Sequence, residues 1–250
     1  MKKATKVAPK EEKSFSTVGL LTVLKSAYLD GAVEEFVLNV QGGVATISAV
    51  DKSAVVFVCV SGPVGNVPDC QLGLKEPGFL IKLLESIKEE KVSFVIEEDK
   101  WLKIDTGSGN VKVLLSQPEM IPTSVQEYKG PVEKMREEVE YSIALEKEVV
   151  EKYVYFQNLV QNNTTGIYIS KGKLSFGSGK FETRTFIVDV GEIESKEDFE
   201  LVVFGKYLKA IFSELDFSRN VEMSFGPGSP ILIETGDFFW SLSPALGEGA

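Results

Sequence analysis

Residues 102–107 read LKIDTG, and residues 231–236 read ILIETG. Ile104, Asp105, Thr106 and Gly107 therefore fall opposite Ile233, Glu234, Thr235 and Gly236 at an offset of 129 (233 − 104). Upstream, FLIKLLESI from Phe79 matches YLKAIFSEL from Tyr207 at an offset of 128 (207 − 79). Downstream, VLLSQP ending at Pro118 matches FWSLSP ending at Pro244 at an offset of 126 (244 − 118). Three blocks in one order, separated by loop-sized insertions and deletions, mark a chain whose second half rewrites its first.

The local patterns around these blocks repeat in the same order. In the first half, Val18, Leu21, Leu24 and Ala27 lie at helical spacing. FVLNVQGGVATISAV then alternates as two strands about Gly42 and Gly43, and AVVFVCVSG and CQLGL follow as further strands. Pro77 opens a second helix with an apolar stripe of Phe79, Leu80, Leu83, Leu84 and Ile87. VSFVIEE, WLKIDTG and NVKVLLSQ complete the unit as strands. In the second half Val149, Val150, Tyr153, Phe156, Leu159 and Val160 predict a helix. GIYISKGKLSFGS predicts a hairpin, FETRTFIVDV and FELVVFG strands, and Tyr207–Leu215 a helix; VEMSF, PILIET and FFWSLSP close the repeat. The expected fold class is α+β, with two similar domains of two helices each on mostly antiparallel sheets. The boundaries expected are a disordered tail over 1–13, a first domain over 14–118, a linker over 119–138, a second domain over 139–245 and a tail over 246–250. Val132–Glu138 within the linker reads equally as surface chain or a short solvated helix.

Composition narrows the function classes. Apolar residues make up 43% and charged residues 26% of 250, which suits a folded domain rather than a disordered chain. No apolar run approaches the roughly 18–20 residues that span a bilayer, and MKKATKVAPKEEKS lacks the apolar segment of a secretion signal. An interior, non-secreted location is expected: cytoplasmic or nucleoid-associated, or inside a host cell if the source is viral. Cys59 and Cys70 have no CxxC spacing and no histidine to complete a zinc site, so both are expected to be reduced, with no metal and no cofactor. The absence of histidine also removes the side chain best suited to acid–base catalysis near neutrality. The net charge of −10 means that any nucleic-acid contact needs a local gathering of positive charge.

Ile121, Pro122, Gln126, Glu127 and Tyr128 of the linker, the FELVVFGKYLKAIF stretch and the SLSP that ends the fold resemble the sliding clamps typified by proliferating cell nuclear antigen and the T-even phage clamp. The resemblance covers about residues 14–245. It implies a homotrimeric six-domain ring around double-stranded DNA that tethers a DNA polymerase and is opened by a clamp loader, without catalysis and without a membrane. NVKVLLSQ of one subunit would pair with FETRTFIV of the next. The DNA-facing candidates are Lys25, Lys82, Lys88, Lys152, Lys206, Lys209 and Arg219, interspersed with Glu85, Glu151 and Glu214. The partner pocket implied by the resemblance comprises Val40, Ala45 and Ile47, the linker residues Met120, Ile121 and Tyr128, and Pro230, Leu242 and Pro244. The KGPVEKMREE stretch departs from the pattern by lengthening the linker.

Two other readings fit the duplication. One is an enzyme that uses the repeat-related Asp105 and Glu234, although strand-end turns account for that symmetry. The other is a monomeric processivity factor of the herpesvirus kind, which needs a basic outer face that this composition does not favour. GSGK at Gly177–Lys180 lacks the remaining residues of a phosphate-binding loop and reads as a turn.

Overall fold

A computed structural model describes residues 14–98, 100–106, 109–125, 127–179, 182–195 and 197–245. The expected tails at 1–13 and 246–250 lie outside the described residues. The first half runs β1 (Ser14–Ser16), α1 (Thr17–Tyr28), β2 (Phe36–Gln41), β3 (Val44–Val50), β4 (Val56–Pro63) and β5 (Cys70–Leu74). It continues through α2 (Pro77–Ser86), β6 (Lys91–Glu97), β7 (Trp101–Asp105) and β8 (Asn110–Leu114). A 3₁₀ turn at Pro118–Met120 leads to α3 (Lys129–Glu137). The second half then repeats the order as β9 (Tyr141–Ala144), α4 (Lys147–Val160), β10 (Thr164–Ser170), β11 (Lys173–Ser178), β12 (Ile187–Glu192) and β13 (Phe199–Phe204). It ends with α5 (Gly205–Ser213), β14 (Glu222–Phe225), β15 (Ile231–Thr235) and β16 (Phe238–Leu242). The LKIDTG and ILIETG strands are β7 and β15, each the middle strand of a three-strand meander that follows a helix. The architecture is α+β, with helices packed on antiparallel sheets.

Local chemistry explains the element ends. Ser16 caps α1 by accepting the Gly19 N–H at 3.2 Å, and Leu29 stops the helix in the left-handed region at φ 48°. The β2–β3 turn needs positive φ at two successive residues, which Gly42 (57°) and Gly43 (78°) supply. A Cβ at Gly43 would also lie 2.6 Å from the Gly65 carbonyl oxygen, so the position excludes any side chain. Pro77 starts α2 where its missing N–H costs nothing. The helix stripes are rotated from those expected, because Leu20, Val23, Leu24 and Ala27 face the core from α1 while Val18 is 70% exposed. In α2 Leu80, Ile81 and Leu84 are buried, and Phe79 is turned outward.

Three sheets result. β1-β6-β7-β8 and β12-β11-β10-β13 are four-stranded, and β5-β2-β3-β4-β16-β15-β14-β9 runs through both halves. The two halves join where β4 pairs with β16, Val56 opposite Leu242 through Val60 opposite Phe238. Side chains along this seam alternate. Val56, Val58, Val60, Trp240 and Leu242 enter the main core beside the helices, whereas Phe57, Cys59 and Phe239 form a second apolar cluster on the other face.

Two buried hydrogen bonds cross between the halves on the core side. The Trp240 indole Nε1–H donates to the Ser26 carbonyl at 2.9 Å, and Tyr207 Oη donates to Asp51 Oδ2 at 3.0 Å. Asp51 is 4% exposed and also accepts the Ser53, Val55 and Val56 amides at 3.1, 2.6 and 2.8 Å, so one carboxylate shapes the β3–β4 turn and anchors α5. Asp51→Ala would strand these buried donors, and the expected loss is about 2–4 kcal/mol. The measurement is a urea midpoint shift at unchanged slope; a loss below about 1 kcal/mol would show that Asp51 does not hold the halves together.

Candidate functional site

The four helices α1, α2, α4 and α5 all send their apolar stripes into the main core, which leaves a charged face away from the sheets. The structure divides the basic residues expected there. Lys82 and Lys152 are exposed on α2 and α4. Lys206 sits in the first turn of α5 with its ammonium 4.5 Å from the Tyr207 ring centroid, and Lys209 donates to Asn158 Oδ1 across the α4–α5 pair at 3.0 Å. Lys25 instead forms an ion pair with Glu85 at 2.6 Å, so its charge is spent between α1 and α2. Lys88 is not helical, because α2 ends at Ser86 and the chain turns before β6. Arg219 follows α5 and lies against Gly236, where a Cβ would collide with its Nη1. Glu214 weakens the basic face where the halves meet. Burial pushes its carboxyl upward, Lys25 opposes that shift, and Asp30 and Glu85 reinforce it.

The expected partner pocket needs correction. Val40, Ala45 and Ile47 are at most 1% exposed and point into the main core. In β2 and β3 the outward positions are the alternate ones, including Asn39, Thr46 and Ser48, which border a shallow polar groove with Val125 and Tyr128. Leu242 is buried in the main core opposite Val56, and Ile121 is 3% exposed, so neither can meet a partner without rearrangement. Met120 is 63% exposed, while Tyr128, Pro230 and Pro244 are half-buried.

The first part of the linker is bound to the sheet. Val50 N–H donates to the Thr123 carbonyl at 2.9 Å and Val125 N–H to the Ser48 carbonyl at 2.8 Å, where β2 has diverged from β3. Beyond it α3 lies over the outward cluster of Phe57, Cys59, Leu232 and Phe239, adding Val132 with Met135 packed alongside. Arg136 stacks its guanidinium 5.6 Å above the Phe239 ring and pairs with Glu234. Burial raises the Cys59 thiol's pKa, with Ser48 and Arg136 opposing. Both cysteines are free.

Several sheet edges are covered. Segment 64–66 bonds along β1, Ser116 bridges Gly73 of β5, and Ala245 bonds Val202 of β13. β9 carries no such cover among the described residues, and neither do β8 and β12. Exposed apolar side chains gather beside both. Leu114 and Phe79 flank β8; Ile187 lies on β12, and Tyr155 and Leu159 on the adjoining α4. The second-half edge is Ile187–Glu192, so the FETRTFIV stretch enters it only at Ile187 and Val188; Phe181 lies outside the described residues. Lys180 of GSGK is likewise outside them, and Gly177 and Ser178 belong to β11. Among the described residues no group of three or more His, Cys, Asp or Glu is placed to hold a metal, and no helix is long and apolar enough to cross a membrane.

No family model and no curated protein matches the sequence. Solved structures do match the fold. A chain described as the C-terminal region of FEN-1 bound to A. fulgidus PCNA superposes with a TM-score of 0.72 at 16% identity, over 95% of this chain and 99% of that one. PCNA from Thermococcus kodakaraensis gives 0.66 at 16% identity, over 94% and 99%. The DNA polymerase III subunit beta from Pseudomonas aeruginosa gives 0.67 at 14% identity, over 96% of this chain but 66% of that longer chain. The fold is that of the DNA sliding clamps.

Ile121→Ala should act on stability, costing about 2 kcal/mol through the cavity it leaves. Met120→Ala one residue earlier should stay within about 0.5 kcal/mol. Paired urea melts separate the two, and equal midpoints would mean that the linker is not seated on the sheet.

Proposed function

We propose that this chain is a non-catalytic subunit of a homotrimeric sliding clamp. Three copies, each supplying domains 14–118 and 139–245 joined by the 119–138 linker, would close a six-domain ring around duplex DNA. The observation that carries the reading is that two of the antiparallel edges uncovered among the described residues, β8 in the first half and β12 in the second, each have exposed apolar side chains beside them, which β9 lacks. Two unlike edges on one chain make a heterologous contact, which forms a ring when its rotation closes. Joining β8 of one copy to β12 of the next would pair both edges and bury Leu114, Phe79 and Ile187. The match in length to archaeal PCNA favours two domains per subunit.

DNA would pass along the helix face. Lys82, Lys152, Lys206 and Lys209 would contact phosphates without reading bases, assisted by Arg219 and Lys88, while Lys25 contributes little beside Glu85. A DNA polymerase and a clamp loader would dock on the outer face near the linker, at Met120, Tyr128, Pro230 and Pro244 with the outward Val50 in place of Val40, Ala45 and Ile47, and would reach Phe57 only where α3 lifts. The FEN-1 segment on the A. fulgidus chain supports docking of a short peptide.

Light scattering on the purified chain should give about three times 27.5 kDa. Leu114→Lys or Ile187→Lys should weaken association more than about tenfold and give a folded monomer, since each places an unpaired charge in an apolar contact. A monomeric parent chain would sink the ring and favour a monomeric processivity factor. The assembled protein should be held on nicked circular duplex and shed when the circle is cut. Equal retention on linear DNA would mean that affinity, not closure, keeps it there.

A further inference from the structure

The outward cluster at the seam joins a rigid apolar floor to a weak cover. The floor is Phe57, Cys59, Leu232 and Phe239, each at most 9% exposed and each on a strand paired on both sides. The cover is α3, nine residues of which five are charged, with Gly130 and Pro131 in its first turn and no side-chain cap at its start. Helices shorter than about 12–15 residues are marginal in water. α3 therefore persists through its contacts with the floor. Those contacts are few: Val132 is buried, Met135 half-buried, and Arg136 reaches Glu234 from a side chain that is 52% exposed. A half-exposed ion pair adds little. Two ties hold the C-terminal side, Ser229 Oγ–H to the Glu138 carbonyl at 2.6 Å and Glu140 N–H to the Phe225 carbonyl at 3.1 Å; at the other end Tyr128 packs half-buried against the cluster, while Glu127, Lys129, Gly130 and Pro131 are exposed.

We propose that α3 is a self-docked lid, and that the groove beneath it receives a partner's amphipathic helical segment in its place. The chain itself shows the chemistry of that segment. Val132, Met135 and Arg136 present apolar side chains at i and i+3 and a base at i+4, which meet the apolar floor and Glu234. A partner with this pattern competes with a covalently tethered copy, so it gains access in proportion to the fraction of time the lid is lifted. The proposal rests on the partner-docking part of the reading above and adds that the chain's own linker occupies the site until a partner displaces it.

Cys59 reports lid opening directly because its thiol lies in the floor. The full chain is alkylated with iodoacetamide in urea below its unfolding midpoint, and modification of Cys59 is followed by peptide mass spectrometry. Local opening predicts a Cys59 rate that is flat in urea. Arg136→Gln should raise it ~3-fold and Val132→Ser ~30-fold. A synthetic peptide copying residues 127–139, in large excess, should slow the reaction of the Val132→Ser chain at least ~3-fold, and a scrambled peptide should not. Modification that follows global unfolding in all three chains would overturn the proposal, and so would a copy peptide that gives no protection. Neither readout uses DNA or the assembled ring, so a monomeric mass leaves this result standing, and a closed lid leaves the clamp reading standing.

Discussion

The pairing of β4 with β16 is the constraint from which the rest of the molecule follows. It is the contact through which two separately repeated units become one eight-stranded sheet, and its register, Val58 opposite Trp240, decides which side chains face which way in both halves. Trp240 is fully buried and reaches Ser26 on α1 because that register turns its ring inward. A slip of one residue would exchange Trp240 for Phe239 on the core side and leave the indole facing the linker. Asp51 and Tyr207 reinforce the same alignment from the β3–β4 turn, so the register is set by packing, by an indole hydrogen bond and by a buried carboxylate together.

The alternation that fixes the inner core also creates the outer groove. Phe57, Cys59, Leu232 and Phe239 face outward as a geometric consequence of sending Val56, Val58, Ile231, Ile233 and Trp240 inward. Four adjoining apolar positions on an open sheet face would be a liability in water, and the linker answers it by laying a helix across them. The long linker and the apolar seam are thus one design. Its length permits α3, and the seam gives α3 a reason to fold.

Much of this could be read from residues alone. The blocks at 102–107 and 231–236 exposed the tandem order because strand and turn chemistry were reused at matching places, and the Gly42–Gly43 turn placed β2 and β3. The face of a strand was harder. Leu38 and Val40 alternate with Asn39 and Gln41, so the inward side of β2 is present in the pattern, yet the family resemblance places Val40, Ala45 and Ile47 in a surface pocket. The run VFVCV in β4 held the subtler signal, since an apolar residue at every position means that both faces are covered. FFW in β16 and ILI in β15 say the same. What covers the second face lies in KGPVEKMRE, whose charges resemble a solvated linker and whose two apolar residues acquire meaning only over the seam. The end of α2 before Lys88 and the start of β12 at Ile187 escaped for a different reason: boundaries depend on where tertiary contacts cease, which periodicity does not encode.

Charge bears on the clamp proposed above. With a net charge of −10, and with Lys25 matched to Glu85 and Glu214 set into the same face, the helix surface keeps only a few unspent positive groups. On that proposal such a surface would attract phosphate loosely, and a loose, base-blind attraction suits motion along a duplex because no position is favoured over the next. Retention would then come from closure. In the proposed ring closure would fall to β8 and β12, edges left uncovered among the described residues, so the strength of the assembly would reside at its edges and the mobility at its lining. In the proposed ring the two demands would fall on different secondary structure, strands for holding and helices for sliding, and a single duplicated unit could meet both.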